Sequence, residues 1–417
     1  MGTSAVDSAA VLGRSIVIGD RTVVPNRLAK AAMSECLGDL AFRPTARHVA
    51  LYRRFAAGGA GLVITGNIMV DRTAIGEIGN VVVEDGRDLP ALAAWAAAAK
   101  SSGAVALAQI NHPGRQVLAG VGPRPVAPSA VRVRGAAGIF RTPHALTTAE
   151  IEAVTNRFAM SARVLVGAGF DGVEIHAAHG YLMNQFLSPL TNLRTDDWGG
   201  SLENRARFLL GVVEAVREQV GSGVVAVKVN SADFQRGGFE AGEAHEVVQM
   251  LAEVVDLIEI SGGTYESTAF MGVAREEMRA STREREAYFL DFAESIRGYV
   301  DVPLMLSGGF RTAAGMAAAI TSGAVDLIGL ARPLAVDPAL PARLLDGSAV
   351  VGEVAPRRLG IARFDGMTDL MWHTTQLQRM GRGLDPAPDR HPLMTMAEYG
   401  CHYAPYLWTR LARGQGW

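Results

Sequence analysis

Gly172-Val173-Glu174-Ile175-His176 and Val224-Val225-Ala226-Val227-Lys228-Val229-Asn230 each read as a strand with two unlike faces. Successive strand side chains point to opposite sides, so Val173 and Ile175 share one face while Glu174 and His176 share the other. In the second stretch Val225, Val227 and Val229 oppose Lys228 and Asn230. Further short apolar runs repeat the theme at Leu28 to Met33, Gly61 to Gly66, Val105 to Ile110, Leu257 to Ile260, Pro303 to Leu306 and Asp326 to Leu330. Helical stretches separate the runs, at Thr45 to Ala57, Leu89 to Ser101, Thr148 to Val166, Ser201 to Gln219, Glu243 to Val254, Arg283 to Tyr299 and Thr312 to Thr321. Ser201 and Thr312 stand where a side-chain oxygen caps a helix start by accepting backbone N–H bonds. Eight buried strands alternating with helices predict an α/β fold, a closed (β/α)8 TIM barrel whose aliphatic strand faces meet the helices. Glu174, His176, Lys228, Asn230 and, by the same alternation, Gln109 then point inward. Several buried polar groups at once imply a polar ligand, although any one of them could be a satisfied core group.

The chain has 417 residues, enough for two or three average domains, but one barrel with insertions also uses that length. The expected division is a barrel over residues 1–346, with a proline-rich cap at 111–146, and an extension over 347–417 that packs on the barrel or on a partner subunit. Hydrophobic residues make up 49% and charged residues 20%, which excludes a disordered chain. Lys and Arg number 40 against 42 Asp and Glu, a net charge of −2, so no basic field is available to hold nucleic acid or a membrane surface. No apolar run reaches the roughly 20 residues of a membrane span, and no basic-then-apolar leader opens the chain. The two cysteines, Cys36 and Cys401, are too few for an iron–sulfur cluster and point to a reducing, cytoplasmic setting. A homo-oligomer is compatible with all of this.

Gly167-Ala168-Gly169-Phe170-Asp171-Gly172 matches the dinucleotide pattern G-x-G-x-x-G in letters only. That fingerprint needs a strand before the glycines and a helix after them, and here the order is reversed. Phosphate is better served elsewhere. Ser307-Gly308-Gly309 follows the seventh strand and Ala331-Arg332 the eighth, where barrels commonly bind phosphate through bare backbone N–H groups and an arginine.

The densest segment, His176 to Arg205, reads HAAHGYLMNQFLSPLTNLRTDDWGGSLENR. It resembles the old yellow enzyme (NADH:flavin oxidoreductase) family. Weaker matches are Asn26-Arg27-Leu28 with Met33, GLVITGN from Gly61 to Asn67 including Gly66, QINHPGR from Gln109 to Arg115, and the two phosphate loops, so the likeness runs from about Asn26 to Asp337. It implies an FMN-dependent barrel reductase, in which NADH or NADPH reduces the flavin and the flavin passes hydride to the β-carbon of an activated alkene. By position in the motif, His176 and His179 would hydrogen-bond a carbonyl or phenol oxygen of a small-molecule substrate, and Tyr181 would give a proton to the α-carbon. Gln109 and Lys228 match residues on the flavin pyrimidine edge and at N1 and O2. Ser34 takes the position beside O4, and Gly308, Gly309, Ala331 and Arg332 match the phosphate cradle. Lys228 departs from the family's commoner arginine and Ser34 from its Thr or Cys, while Cys36 falls where some members have a tyrosine over the substrate. GLVITGN is similar to the 2,4-dienoyl-CoA reductase branch, but the cluster cysteines are missing and no fused second reductase domain is expected.

Arg194, Asp196, Trp198 and Arg205 are read as shaping a loop and helix start, His112 as an exposed cap histidine, and His48, His245, His373, His391 and His402 as lacking partners. A specialised flavin oxidase or desaturase on the same scaffold is an alternative. A Schiff-base aldolase using Lys228 is another, but it leaves His176, His179, Tyr181 and Gln109 without a task. A metal hydrolase lacks a third ligand beside His176 and His179, and a flavin sensor would not need the reactive trio.

Overall fold

In the computed structural model, which describes residues 5–119, 125–134, 140–263, 286–349, 351 and 362–412, the eight runs form eight parallel strands. They are β1 (Leu28–Lys30), β2 (Leu62–Ile64), β3 (Val105–Asn111), β4 (Gly172–Ala177), β5 (Val224–Asn230), β6 (Leu257–Ser261), β7 (Leu304–Ser307) and β8 (Leu327–Leu330). Each pairs with the next, and β8 pairs with β1, which closes the barrel. Every strand residue is buried, as a sheet covered by helices on one side and filled by side chains on the other requires.

The covering helices are α1 (Ala46–Ala57), α2 (Leu89–Ala99), α3 (Thr148–Gly167), α4 (Leu202–Val220), α5 (Ala241–Ala252), α6 (Leu290–Arg297) and α7 (Ala313–Thr321). Thr45 and His48 form a reciprocal capping box at α1, and Thr147 with Glu150 forms another at α3. Ser201 and Thr312 cap α4 and α7 through Asn204 N–H and Gly315 N–H. α6 is shorter than the expected Arg283 to Tyr299. Residues 283–285 lie outside the described part, and the helix begins only after Phe289, whose backbone is not helical.

Register sorts the lumen into layers. Leu62, Leu107, Ala226, Leu257, Met305 and Leu327 form an apolar layer toward the N-terminal strand ends, where Ile18 and Val24 of a short hairpin also pack. Two residues further along β3, β4, β5 and β6 come Gln109, Glu174, Lys228 and Glu259; Gln109 is in register with Glu174 and Lys228 with Glu259, while across β4 and β5 the register steps by two, pairing Glu174 with Ala226 and His176 with Lys228. Two further still come Asn111, His176, Asn230 and Ser261, at the C-terminal mouth. Alternation along each strand thus delivers a charged layer directly beneath that mouth.

The extension departs from the expected loss of pattern. It forms two long helices, α8 (Ala362–Gly381) and α9 (Pro392–Ala412). Gly383, Pro386 and Pro388 fall in the turn between them, and α8 packs on α1 and α9 with Trp372 fully buried. Among the described residues no helix is long and apolar enough to cross a membrane. His112 is not exposed as expected: it is buried, its Nδ1 accepts the Gly114 N–H, and its carbonyl accepts the Leu182 N–H. Burial lowers its pKa to about 4.

Candidate active site

A cavity of about 270 Å³ opens at the C-terminal mouth. Ser34, Gln109, His176, His179, Tyr181, Lys228, Gly308, Ala331 and Arg332 all line it, although they come from six different strand ends. Gly66 does not. Its N–H donates to Glu35 and Tyr52 in a neighbouring pocket, where the buried Lys30 ammonium also meets Glu35, Tyr52 and the Ile64 carbonyl. Gly309 lies one residue beyond the lining, with a backbone carbonyl of Glu286 where a Cβ would sit.

The turn after β4 sets the reactive trio. His179 and Gly180 both adopt positive φ, 59° and 74°, which folds the chain back at once and brings His176, His179 and Tyr181 to one wall. A histidine in this left-handed region is strained, so the turn must be held from outside. Asn230 Oδ1 accepts the His179 N–H, Asn184 Oδ1 accepts the Gly180 N–H, Gln116 donates to the His179 carbonyl and Gln185 to the Gly180 carbonyl. Asp233 in turn accepts from Asn184 and Asn230. The His176 ring stands edge-on to His179 at 5.1 Å and to Tyr181 at 4.8 Å. His176 Nδ1 accepts the Ala178 N–H, which leaves the proton of the neutral ring on Nε2. His179 Nε2 lies 2.9 Å from Ser261 Oγ. Burial pushes both imidazoles well below the ordinary histidine range, and Lys228 adds to this, so both are neutral donors at neutral pH.

Lys228 is not alone. Its ammonium sits 2.7 Å from Glu259, and Gln109 donates to Glu174 at 2.6 Å. Burial and then the Glu259 charge hold Glu174 well above the usual carboxylate range, while Lys228 helps hold Glu259 below it. One carboxyl therefore carries a proton and the other pairs with the lysine. A lysine engaged in this way serves as a fixed cation rather than the free amine a Schiff-base aldolase needs.

Sequence reading missed Glu77, Asn67, Ser261 and the α8 residues Asp369, His373 and Thr374, all of which line the cavity. Ser34 Oγ donates to Glu77 or to Asn67 Oδ1, and burial pushes the Glu77 carboxyl up. Asp369 approaches Arg332 at 3.4 Å and also contacts His373, so that histidine does have partners. Only the isolated Glu in Ile75-Gly76-Glu77 could have drawn notice beforehand; α8 carried no signal tying it to the barrel. Arg194 pairs with Asp196 and donates to the Leu146 and Pro128 carbonyls, and Arg205 reaches the Leu187 carbonyl and Glu243, so both arginines pin loops outside the cavity.

The model of the NADH:flavin oxidoreductase / NADH oxidase family matches residues 13–349. The chain is 39% identical over 339 residues to the NADH-dependent flavin oxidoreductase iliE of Hypocrea jecorina, covering 76% of this chain and 84% of that one. It is 32% identical to an NADPH dehydrogenase of Clostridium acetobutylicum, over 70% of this chain and 82% of the relative. Among solved structures, the old yellow enzyme homologue from Zymomonas mobilis aligns with a TM-score of 0.70 at 27% identity, over 81% of this chain and 93% of that one. The barrel, its polar mouth and these likenesses agree, and the chain belongs to the NADH:flavin oxidoreductase / NADH oxidase family, whose members are FMN enzymes served by NADH or NADPH.

Proposed function

We propose that the protein reduces activated alkenes, such as enones or enals, with electrons taken from NADH or NADPH. The residues of the cavity fit FMN. Lys228 offers a cation and Gln109 an amide at the charged layer, for the pyrimidine edge. Gly308, at φ 119°, bares its backbone as no other residue would, and Arg332 turns a half-exposed guanidinium to the same end, for the phosphate. Bound there, the flavin supplies the hydride.

The chain's own residues do the rest. Neutral His176 and His179 hydrogen-bond the substrate oxygen and stabilise the negative charge that grows on it, while Ser261 and Ala178 fix the two rings. Because the rings are neutral, Lys228 is the resident positive charge facing the cavity from this wall. Tyr181 is 6% exposed, so the phenol meets substrate with little competing water, and it hands its proton to the α-carbon. The edge-to-face trio of His176, His179 and Tyr181 is the observation that carries this reading.

Tyr181→Phe tests it by anaerobic stopped flow of the two half-reactions. Reduction of the flavin by NAD(P)H should persist, and reoxidation by an enone should slow by about a hundredfold, the usual worth of a positioned general acid. Equal slowing of both halves would remove Tyr181 from proton delivery.

A further inference from the structure

The family match ends at residue 349, yet α8, beyond it, forms part of the cavity wall. His373 on that helix is 6% exposed and faces the cavity. Its Nδ1 lies 2.8 Å from the Asp369 carbonyl of the preceding turn, and a carbonyl only accepts, so Nδ1 carries the proton. Its Nε2 is buried and has no hydrogen-bond partner among the described residues. A buried polar atom left without a partner has lost its water for nothing in return, so this one is expected to meet a ligand.

The charged groups acting on the ring identify that ligand. Arg332, after β8, and Arg311, after β7, act on it from the barrel side, and Asp369 acts from its own helix, with Oδ1 3.4 Å from Nδ1. Asp369 also approaches Arg332. Glu286 offsets Arg311, accepting its N–H and that of Thr312, whereas the half-exposed Arg332 guanidinium, met by Asp369 through one nitrogen at 3.4 Å, keeps further donors for an anion in the cavity that His373 and the bared backbone of Gly308 also line. We propose that His373 is a ligand of the flavin phosphomonoester, its Nε2 bonding a phosphate oxygen, so that the C-terminal helix completes the phosphate end begun by the two barrel loops. This rests on the flavin reading of the cavity.

The contact needs a proton. With Nδ1 protonated, Nε2 of the neutral ring is a bare lone pair, which repels a phosphate dianion. One shared proton, written either as imidazolium with dianion or as imidazole with monoanion, turns repulsion into a charge-assisted bond. A phosphomonoester releases its second proton near pH 6, so at pH 8 the free ligand is a dianion and the complex must take up about one proton. Riboflavin, which lacks the phosphate, takes up none.

The test uses the full chain freed of flavin. Wild type should bind FMN far more tightly than riboflavin; His373→Leu should lower that preference by about tenfold, the worth of one charge-assisted bond, and leave riboflavin binding unchanged. His373→Gln, which keeps a donor on the same wall, should retain most of it. Calorimetry of the wild type at pH 8, in buffers of unlike ionisation enthalpy, should show about one more proton taken up with FMN than with riboflavin. An unaltered preference in His373→Leu, or equal proton uptake for the two flavins, overturns the role of His373 while leaving the flavin site intact. Failure of wild type to bind either flavin would instead overturn the reading of the cavity. The calorimetric arm needs no variant and decides the question even if His373→Leu does not fold.

Discussion

Replacing Lys228 by methionine should unsettle the barrel from within. The ammonium lies 2.7 Å from a Glu259 carboxylate that is fully buried, and Glu174 is buried in the same layer. Methionine fills the stem but leaves Glu259 charged, desolvated and beside a second carboxyl. Breaking such a pair from one side costs about 3–5 kcal/mol, because the remaining charge has lost its partner. In a chain of this size about 2 °C of melting temperature accompanies each kcal/mol, so the flavin-free variant should melt about 6–10 °C below the wild type. Lys228→Met with Glu259→Gln removes both charges and should recover at least about half of that loss. The pH dependence has a fixed sign. In the single variant the folded-state pKa of Glu259 rises above its unfolded value, so its deficit should grow as pH rises and shrink as acid supplies the missing proton. Thermal unfolding of the wild type, both single variants and the double variant, at pH 5.5 and 8, closes the cycle. A double variant no more stable than Lys228→Met, at either pH, would refute the idea that the lysine chiefly compensates Glu259.

Two further expectations follow from backbone and burial. His48 and His112 are held neutral, with pKa values lowered to about 3 and about 4, chiefly by burial. Between pH 6.5 and 4 the unfolded chain binds protons that the folded one refuses, so stability falls on acidification by about 1.4 kcal/mol per pH unit for each histidine. His48→Gln keeps the capping box with Thr45 and should flatten the acid slope by one such step; parallel melting profiles from pH 7 to 5 would contradict this. In the glycine pair after β7, both residues at positive φ, an added Cβ would lie 3.3 Å from the Tyr288 and Phe289 rings at Gly308 but 2.1 Å from the Glu286 carbonyl at Gly309. Gly309→Ala should therefore destabilise more than Gly308→Ala, which costs about 1–3 kcal/mol through its backbone alone, and the reverse order of melting temperatures would refute the steric argument.

The barrel was legible in the chain because a buried parallel strand leaves a mark that needs no neighbours. Val225, Val227 and Val229 against Lys228 and Asn230 is a two-residue period, and the period alone says which residues face the lumen. His176, His179 and Tyr181 were legible for a similar reason: they stand within six residues of one turn, and local geometry brings them together. Gly66 shows the limit of motif position. It lies in a matching stretch, yet its N–H turns to Glu35 and Tyr52 and away from the cavity. His112 shows another limit, since a loop histidine looks exposed until the chain that covers it is in place.

The charge state of the site was decided by tertiary structure. Nothing in the order of residues pairs Lys228 with Glu259 or leaves Glu174 protonated; those outcomes depend on which strands become neighbours and on how completely the layer loses water. The same holds for α8. Its helix is local, but its seat against Arg332 is a contact between residues 332 and 369, 37 positions apart in the chain, set by how the extension packs on α1. Periodicity along the chain fixes the direction each side chain takes, because backbone sterics act between adjacent residues. Which groups then meet, and what protons they keep, is a matter of distance and dielectric, and these exist only once the chain has folded.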